Sequence, residues 1–156
     1  MKVEGTKELE APREVVWNVI NDPAQMANLM PGVESFEIHD ERNWTAKVKV
    51  PLGLGGLKMT IKFQKLEERP PEYASLSAKG TGVGAIMNMT TSFSLSGEGT
   101  HTSMKWEADV RIAGPVGAMG QRVLQPIVNQ QVGQGLAALE RQVTSQADDA
   151  GEAGAG

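Results

Sequence analysis

The hydrophobic period of this chain changes once, at Gly114-Pro115. Upstream, apolar residues recur at every second position in one segment after another. Trp44, Ala46, Val48 and Val50 alternate with Thr45, Lys47 and Lys49, and Leu57, Met59, Ile61 and Phe63 alternate with Lys58, Thr60, Lys62 and Gln64. Met87, Met89, Thr91, Phe93 and Leu95 make a third such row, and Met104, Trp106, Ala108, Val110 and Ile112 a fourth. Alternation this one-sided belongs to antiparallel strands with one wet face. Downstream the period is about 3.6. Val116, Met119, Val123 and Ile127 form one stripe, and Leu124, Val128, Val132, Leu136, Leu139 and Val143 form its neighbour. A helix from Pro115 to Val143 would be about 40 Å long at 1.5 Å per residue, enough to cross the whole sheet. Wrapping a curved sheet around one helix leaves a gap between the layers, and a gap walled by apolar side chains suits an apolar ligand.

The front of the chain supplies a cover. Val3, Gly5, Lys7 and Leu9 share the weak inner face of a first strand. Pro12 suits the first turn of a helix, where its missing N–H costs nothing; Val15, Val16, Trp17, Val19 and Ile20 give that helix a broad apolar side. Asp22-Pro23 opens a second short helix carrying Met26, Leu29 and Met30, and Pro31-Gly32 ends it. Turn-like sequences separate the strands: His39 to Asn43, Arg69 to Glu72, Gly80 to Gly82 and Gly97 to Gly99. The pattern predicts an α+β fold in one domain over residues 1–146, with a six- or seven-stranded antiparallel sheet gripping the C-terminal helix. Residues 147–156 read as an acidic Gly/Ala tail, expected to be disordered.

Composition removes several functions. The chain has 156 residues, enough for a proper core, and a formal net charge of −4. With that net charge and a pI near 5.2 no basic patch is expected to neutralise phosphates, so nucleic acid is not expected as a partner. There is no cysteine, which excludes disulfides, thiolate metal sites and a cysteine nucleophile within the chain. The N-terminus has no apolar signal region and no stretch reaches the roughly 18 apolar residues of a membrane span. A cytoplasmic protein is expected, with peripheral contact at the inner face of the membrane left open.

Residues that could do chemistry are sparse. His39 and His101 sit in separate predicted turns without the spacing of a metal site. No serine lies in a strand–turn–helix elbow. Leu52 to Leu57 and Gly80 to Gly84 are glycine-rich, but both join strands and lack the residues of a phosphate loop. Leu52 and Leu54 could be a pocket lid, a tip that touches a membrane, or part of a hairpin folded back on the core. Trp17 and Trp106 read as core or wall anchors, and Trp44 as partly exposed.

Methionine is the stronger clue. Met59, Met87, Met89, Met104 and Met119 fall on inward faces, with Met26 and Met30 in the helical cover. A flexible thioether fills a core, but it also suits a wall that must close around a flexible ligand. With Ile61, Phe63, Phe93, Trp106, Val123 and Ile127 these are the expected lining residues. Gly120, Gly133 and Gly135 each cost about 1 kcal/mol in a helix interior, a cost explained by close approach of a ligand or strand or by a kink. Gln130 reads as solvent-facing, and Gln131 as an amide that could bond a ligand carbonyl.

Strand, two helices, strands and a closing helix is the order of the helix-grip, START-like proteins. Within them the chain closely resembles the carbon monoxide dehydrogenase G-subunit family. The matching stretches are Glu8 to Trp17, Asn21-Asp22-Pro23 through Met30-Pro31-Gly32-Val33-Glu34-Ser35, Gly80-Thr81-Gly82, and Trp106 to Val110 leading into Gly114 to Arg122. The resemblance implies a non-enzymatic accessory protein of a molybdenum-containing carbon monoxide dehydrogenase or related hydroxylase. It also implies a bound quinone (menaquinone or ubiquinone), no covalent cofactor, and a part in holding the enzyme at the membrane. Many members carry a C-terminal segment for membrane attachment; this chain has the acidic stretch there. The rival readings are a ligand-free maturation or docking factor and a polyketide cyclase-like enzyme, the latter needing a titratable group in the pocket.

Overall fold

The computed structural model describes residues 1–51 and 56–155, with side chains as far as Asp148. Leu52 and Leu54 lie outside the described residues. Strand β1 (Lys2–Leu9) leads into helices α1 (Arg13–Asn21) and α2 (Pro23–Leu29). Six strands follow: β2 (Val33–Ile38), β3 (Asn43–Val50), β4 (Leu57–Arg69), β5 (Tyr73–Gly82), β6 (Ala85–Ser96) and β7 (Thr102–Ala113). A short 3₁₀ turn, Gly117–Met119, precedes the long helix α3 (Gln121–Ala155).

Among the described residues, these seven strands make one antiparallel sheet in the order β1-β7-β6-β5-β4-β3-β2. From β2 to β7 each strand pairs with the next, as hairpin connections favour. β1 breaks the sequence by pairing with β7, so β1 and β2 form opposite edges and α1 and α2 carry the chain from one to the other. The sheet curves around α3, and the α+β, helix-grip architecture expected from the change of period is the architecture found.

The start of each short helix follows its sequence. Pro12 caps α1 in extended backbone, and its carbonyl accepts from Val15 and Val16. At α2 the Asp22 carboxylate accepts from the Ala24 N–H at 3.0 Å and from the Gln25 amide, with Pro23 at the first helical position. α2 is tied to α3 by Gln142 and Gln146, whose amides both donate to the Gln25 side-chain oxygen.

Among the described residues, buried side chains form two clusters. One gathers Leu9, Val16, Trp17, Val19, Leu95, Met104, Leu139 and Val143, where α1 packs between the sheet and the far part of α3. The other gathers Ala27, Trp44, Val48, Met59, Ile61, Phe63 and Leu76 under α2. Trp44, expected to be partly exposed, is 2% exposed. Inward on β3 and opposite Phe63 on β4, it stacks on that ring with centroids 5.3 Å apart.

The long helix differs from the expectation at both ends: it runs past Val143 to Ala155, so residues 147–155, read as a disordered tail, are helical, and it begins later than Pro115. The apolar stripe continues through Pro115 to Gly120, but Gly120 has φ +85°, and α3 starts only at Gln121. A positive φ stops helical hydrogen bonding and suits glycine alone. Residues 115–120 form instead a link anchored by the Val116 N–H to the Gly84 carbonyl at 2.8 Å.

Candidate ligand cavity

The inner faces of β3 to β7 do not meet α3 everywhere. Between them lies a cavity of about 330 Å³. β4 contributes Leu57, Met59, Ile61 and Phe63; β6 contributes Ala85, Met87, Met89, Thr91 and Phe93; β7 contributes Trp106, Ala108, Val110 and Ile112. Val48 and Val50 come from β3 and Leu76 from β5. Helix α2 and its exit supply Met26, Leu29, Met30 and Pro31, and α1 supplies Ile20. The α3 wall is Leu124, Ile127, Val128, Gln131, Val132, Gly135, Leu136 and Leu139. Those positions recur at spacings of one, three and four and so share one helix face.

Small residues help keep the layers apart. Ala108 and Ala85 line the sheet side and Gly135 the helix side. The nearest atom a side chain at Gly135 would meet is the Leu29 carbonyl oxygen, 4.0 Å away. One end of the cavity is closed by Ile20, Leu76 and Leu139, all buried. At the other end, beside the β5–β6 turn and the link into α3, the lining residues Val50, Leu57, Met87, Ile112 and Val116 are half-buried.

The wall is almost wholly apolar. Thr91 and Gln131 are its polar side chains, and among the described residues no acidic or basic group lines it. The Thr91 hydroxyl donates to the Glu107 carbonyl at 2.8 Å, which spends its proton on the sheet. The Gln131 amide bonds to no described residue and keeps both donor and acceptor free for the cavity.

Groups with displaced pKa values stand elsewhere. In the β2–β3 turn the Arg42 N–H and the Asn43 side chain hold the Asp40 carboxyl below its ordinary value. At the rim of β1 hydrogen bonds to Glu8 and then Glu10 raise His101, while Ser103 and then His101 lower Glu8. Among the described residues no group of three His, Cys, Asp or Glu could hold a metal ion.

Of the residues expected on the wall, Met26, Met30, Met59, Ile61, Phe63, Met87, Met89, Phe93, Trp106, Ile127 and Gln131 line it. Met104, Met119 and Val123 do not. Met104 is inward on β7 but fully buried in the cluster under α1, beyond the closed end. Met119 and Val123 are 45% and 43% exposed: the break at Gly120 leaves Met119 on the link, outside α3, and Val123 stands in the first turn of α3, before the part of the helix that walls the cavity. Gln130 is exposed, as expected. Of the three glycines, Gly120 marks the break, Gly135 faces the cavity and Gly133 faces open space. The second helical stripe, visible in the sequence but not expected as lining, supplies most of the α3 wall.

The family model of the carbon monoxide dehydrogenase G subunit (CoxG) matches residues 5–144. No curated protein matches the chain significantly. Among solved structures, a conserved protein from Geobacillus kaustophilus superposes with a TM-score of 0.85 at 20% identity, covering 93% of this chain and 96% of that one. A START superfamily protein from Mycobacterium smegmatis superposes with a TM-score of 0.72 at 15% identity, covering 93% and 98%. At such identities the likeness speaks for the fold, and the fold is START-like. With the family model spanning both the cover and the sheet–helix cavity, the chain belongs to the CoxG family of carbon monoxide dehydrogenase G subunits.

Proposed function

We propose that the protein binds a neutral hydrophobic small molecule between the sheet and α3, with an isoprenoid quinone such as menaquinone or ubiquinone as the favoured cargo. It would serve as accessory to a molybdenum-containing carbon monoxide dehydrogenase or a related oxidoreductase, acting by binding and not by catalysis. The observation that carries this reading is the wall itself: a cavity of about 330 Å³ whose polar side chains are Thr91 and Gln131. Moving an apolar tail into it contributes roughly 25 cal/mol per Å² buried. A carboxylate or phosphate head would enter without a countercharge and lose several kcal/mol of hydration. A quinone carbonyl, in contrast, can accept the Gln131 amide N–H. Membership in the family supports the choice of partner enzyme, and the absence of a titratable group on the described wall argues against cyclase chemistry.

Native mass spectrometry of the protein from its own cells, with extraction of whatever is bound, tests the reading. A stoichiometric quinone or other neutral lipid is expected. Replacing Gln131 by Leu should weaken retention of an added quinone about fivefold, the worth of one net hydrogen bond. A clean apo mass with no added quinone retained would refute the carrier reading and leave a docking factor that works through its surface.

A further inference from the structure

We propose that the free edge of β2 receives an extended, basic segment of a partner protein as an added strand. Among the described residues the sheet ends in β1 and β2, and the two edges differ in what they leave uncovered. On the inner side of β1, Leu9 is fully buried and Lys7 pairs with Glu140 of α3. On β2, Val33 packs against the cluster under α2. Phe36 and Ile38 lie opposite Ala46 and Trp44 and so share the inner face of the sheet. Yet they are 38% and 43% exposed, while both partners on β3 are buried. Among the described residues β1 carries no exposed large apolar side chain.

The backbone at the same two residues is free as well. Residues opposite one another in an antiparallel pair alternate between those that exchange hydrogen bonds and those that turn them away. The His39 N–H donates to the Asn43 carbonyl. Counting back by two, Glu37 bonds to Thr45 and Ser35 to Lys47. Phe36 and Ile38 therefore turn their N–H and C=O groups to the edge, where no described residue meets them. An incoming strand needs both features: backbone bonds supply affinity, and side chains at alternate positions supply choice.

Charge selects the occupant. Glu34 and Glu37 stand on β2, and Asp40 and Glu41 in the turn after it, all four exposed. Among the described residues none of these carboxylates stands in an ion pair. A second copy pairing through β2 would bring Glu34 and Glu37 of both chains together, and like charges oppose such pairing. The bulge between Val33 and Ser35 also shortens the run that two copies could share. A strand whose apolar residues alternate with Lys or Arg meets no such opposition. β3 is already one: Trp44, Ala46 and Val48 turn inward beside β2, and Lys47 and Lys49 are exposed between and beyond them. The bound segment would present the same pattern from the open side. This surface is independent of what the cavity holds.

A blocked peptide copying residues 43–50 is the probe, added to the full chain, and amide exchange followed by NMR is the readout. At about ten times its Kd the peptide should slow exchange at Phe36 and Ile38 about tenfold and leave the β1 amides unchanged. Glu37→Lys should weaken binding about fivefold, because an opposite-charge pair across strands becomes a like one. Ile38→Pro removes an N–H that bonds to no strand in the free protein, so it should keep the fold and weaken binding about fivefold. Should its melting temperature fall, Glu37→Lys, a change at an exposed side chain, carries the test alone. No protection at Phe36 and Ile38, equal protection along β1, or equal binding of the peptide with its two lysines replaced by glutamate would overturn the proposal. Sedimentation of the chain alone as a dimer with slow Phe36 and Ile38 amides would also overturn it and assign the edge to a second copy. A failure here leaves the quinone reading intact, because that is read from the bound mass.

Discussion

What a methionine does in this protein depends on what stands on its far side. Met59, Met87 and Met89 border the cavity, while Met104, equally inward on its strand, is sealed under α1. Alternation identifies a face, but it cannot say where along the strand the second layer touches; that is why eleven of the expected wall residues are on the wall and Met104 is not. The difference has an energetic consequence. Met104→Ala removes a fully packed side chain and should cost about 2–5 kcal/mol. Met87→Ala trims a side chain already beside a void and should cost about 1 kcal/mol or less, because little new cavity is created. Urea unfolding of the two variants measures both. Equal costs would contradict the placement of the cavity. Gln131 shows the same limit from the other side: its place on the stripe was readable, its freedom from partners was not.

Elements differ in how openly they declare themselves. The strands were legible because a half-buried strand must alternate, and turn residues stand between them. The origin of α3 was not, since apolar side chains in the link mimic the helical stripe while the backbone reverses at Gly120. Nor could sequence reveal how the edge strand β1 is fastened. His101, on the β6–β7 turn, sits between Glu8 and Glu10, and Ser103 also donates to Glu8. His101 is raised from its ordinary 6.5, so its share of stability is complete below that value and is lost as pH rises through the higher folded value. Glu8 is lowered from 4.5, so its share is present above that value and is lost as pH falls through the lower folded value. Both act together between these ordinary values. His101→Gln should therefore flatten the decline in melting temperature above about pH 6.5. Calorimetry across that range decides it, and parallel curves for the two proteins would remove the clamp. The groups are exposed, so the change is small.

At the scale of the molecule, a cavity between two layers couples ligand to stability. A ligand that binds only the folded chain stabilises it by mass action, about 2.7 kcal/mol at a hundredfold excess over Kd. A short-tailed quinone should raise the melting temperature of the protein. It should have little effect on Gly135→Leu, whose side chain occupies the space opposite Leu29. An equal rise in both, followed by scanning fluorimetry, would place the ligand elsewhere. The same scale sets Lys49 opposite Lys58 and Lys62 opposite Lys79, pairs from strands β3 to β5 that meet only through register and that no local motif announces.

By itself the amino-acid sequence determined the kinds of element, their order and which side of each strand and helix turns inward, because these depend on local periodicity and backbone chemistry. It also carried the family resemblance. Tertiary structure alone decided where the layers part and where they touch, which of the inward residues face empty space, and how charges from distant strands come side by side. Those outcomes depend on sheet curvature, cross-strand register and the seating of α1 and α2, and each joins residues too far apart in the chain for any local pattern to connect.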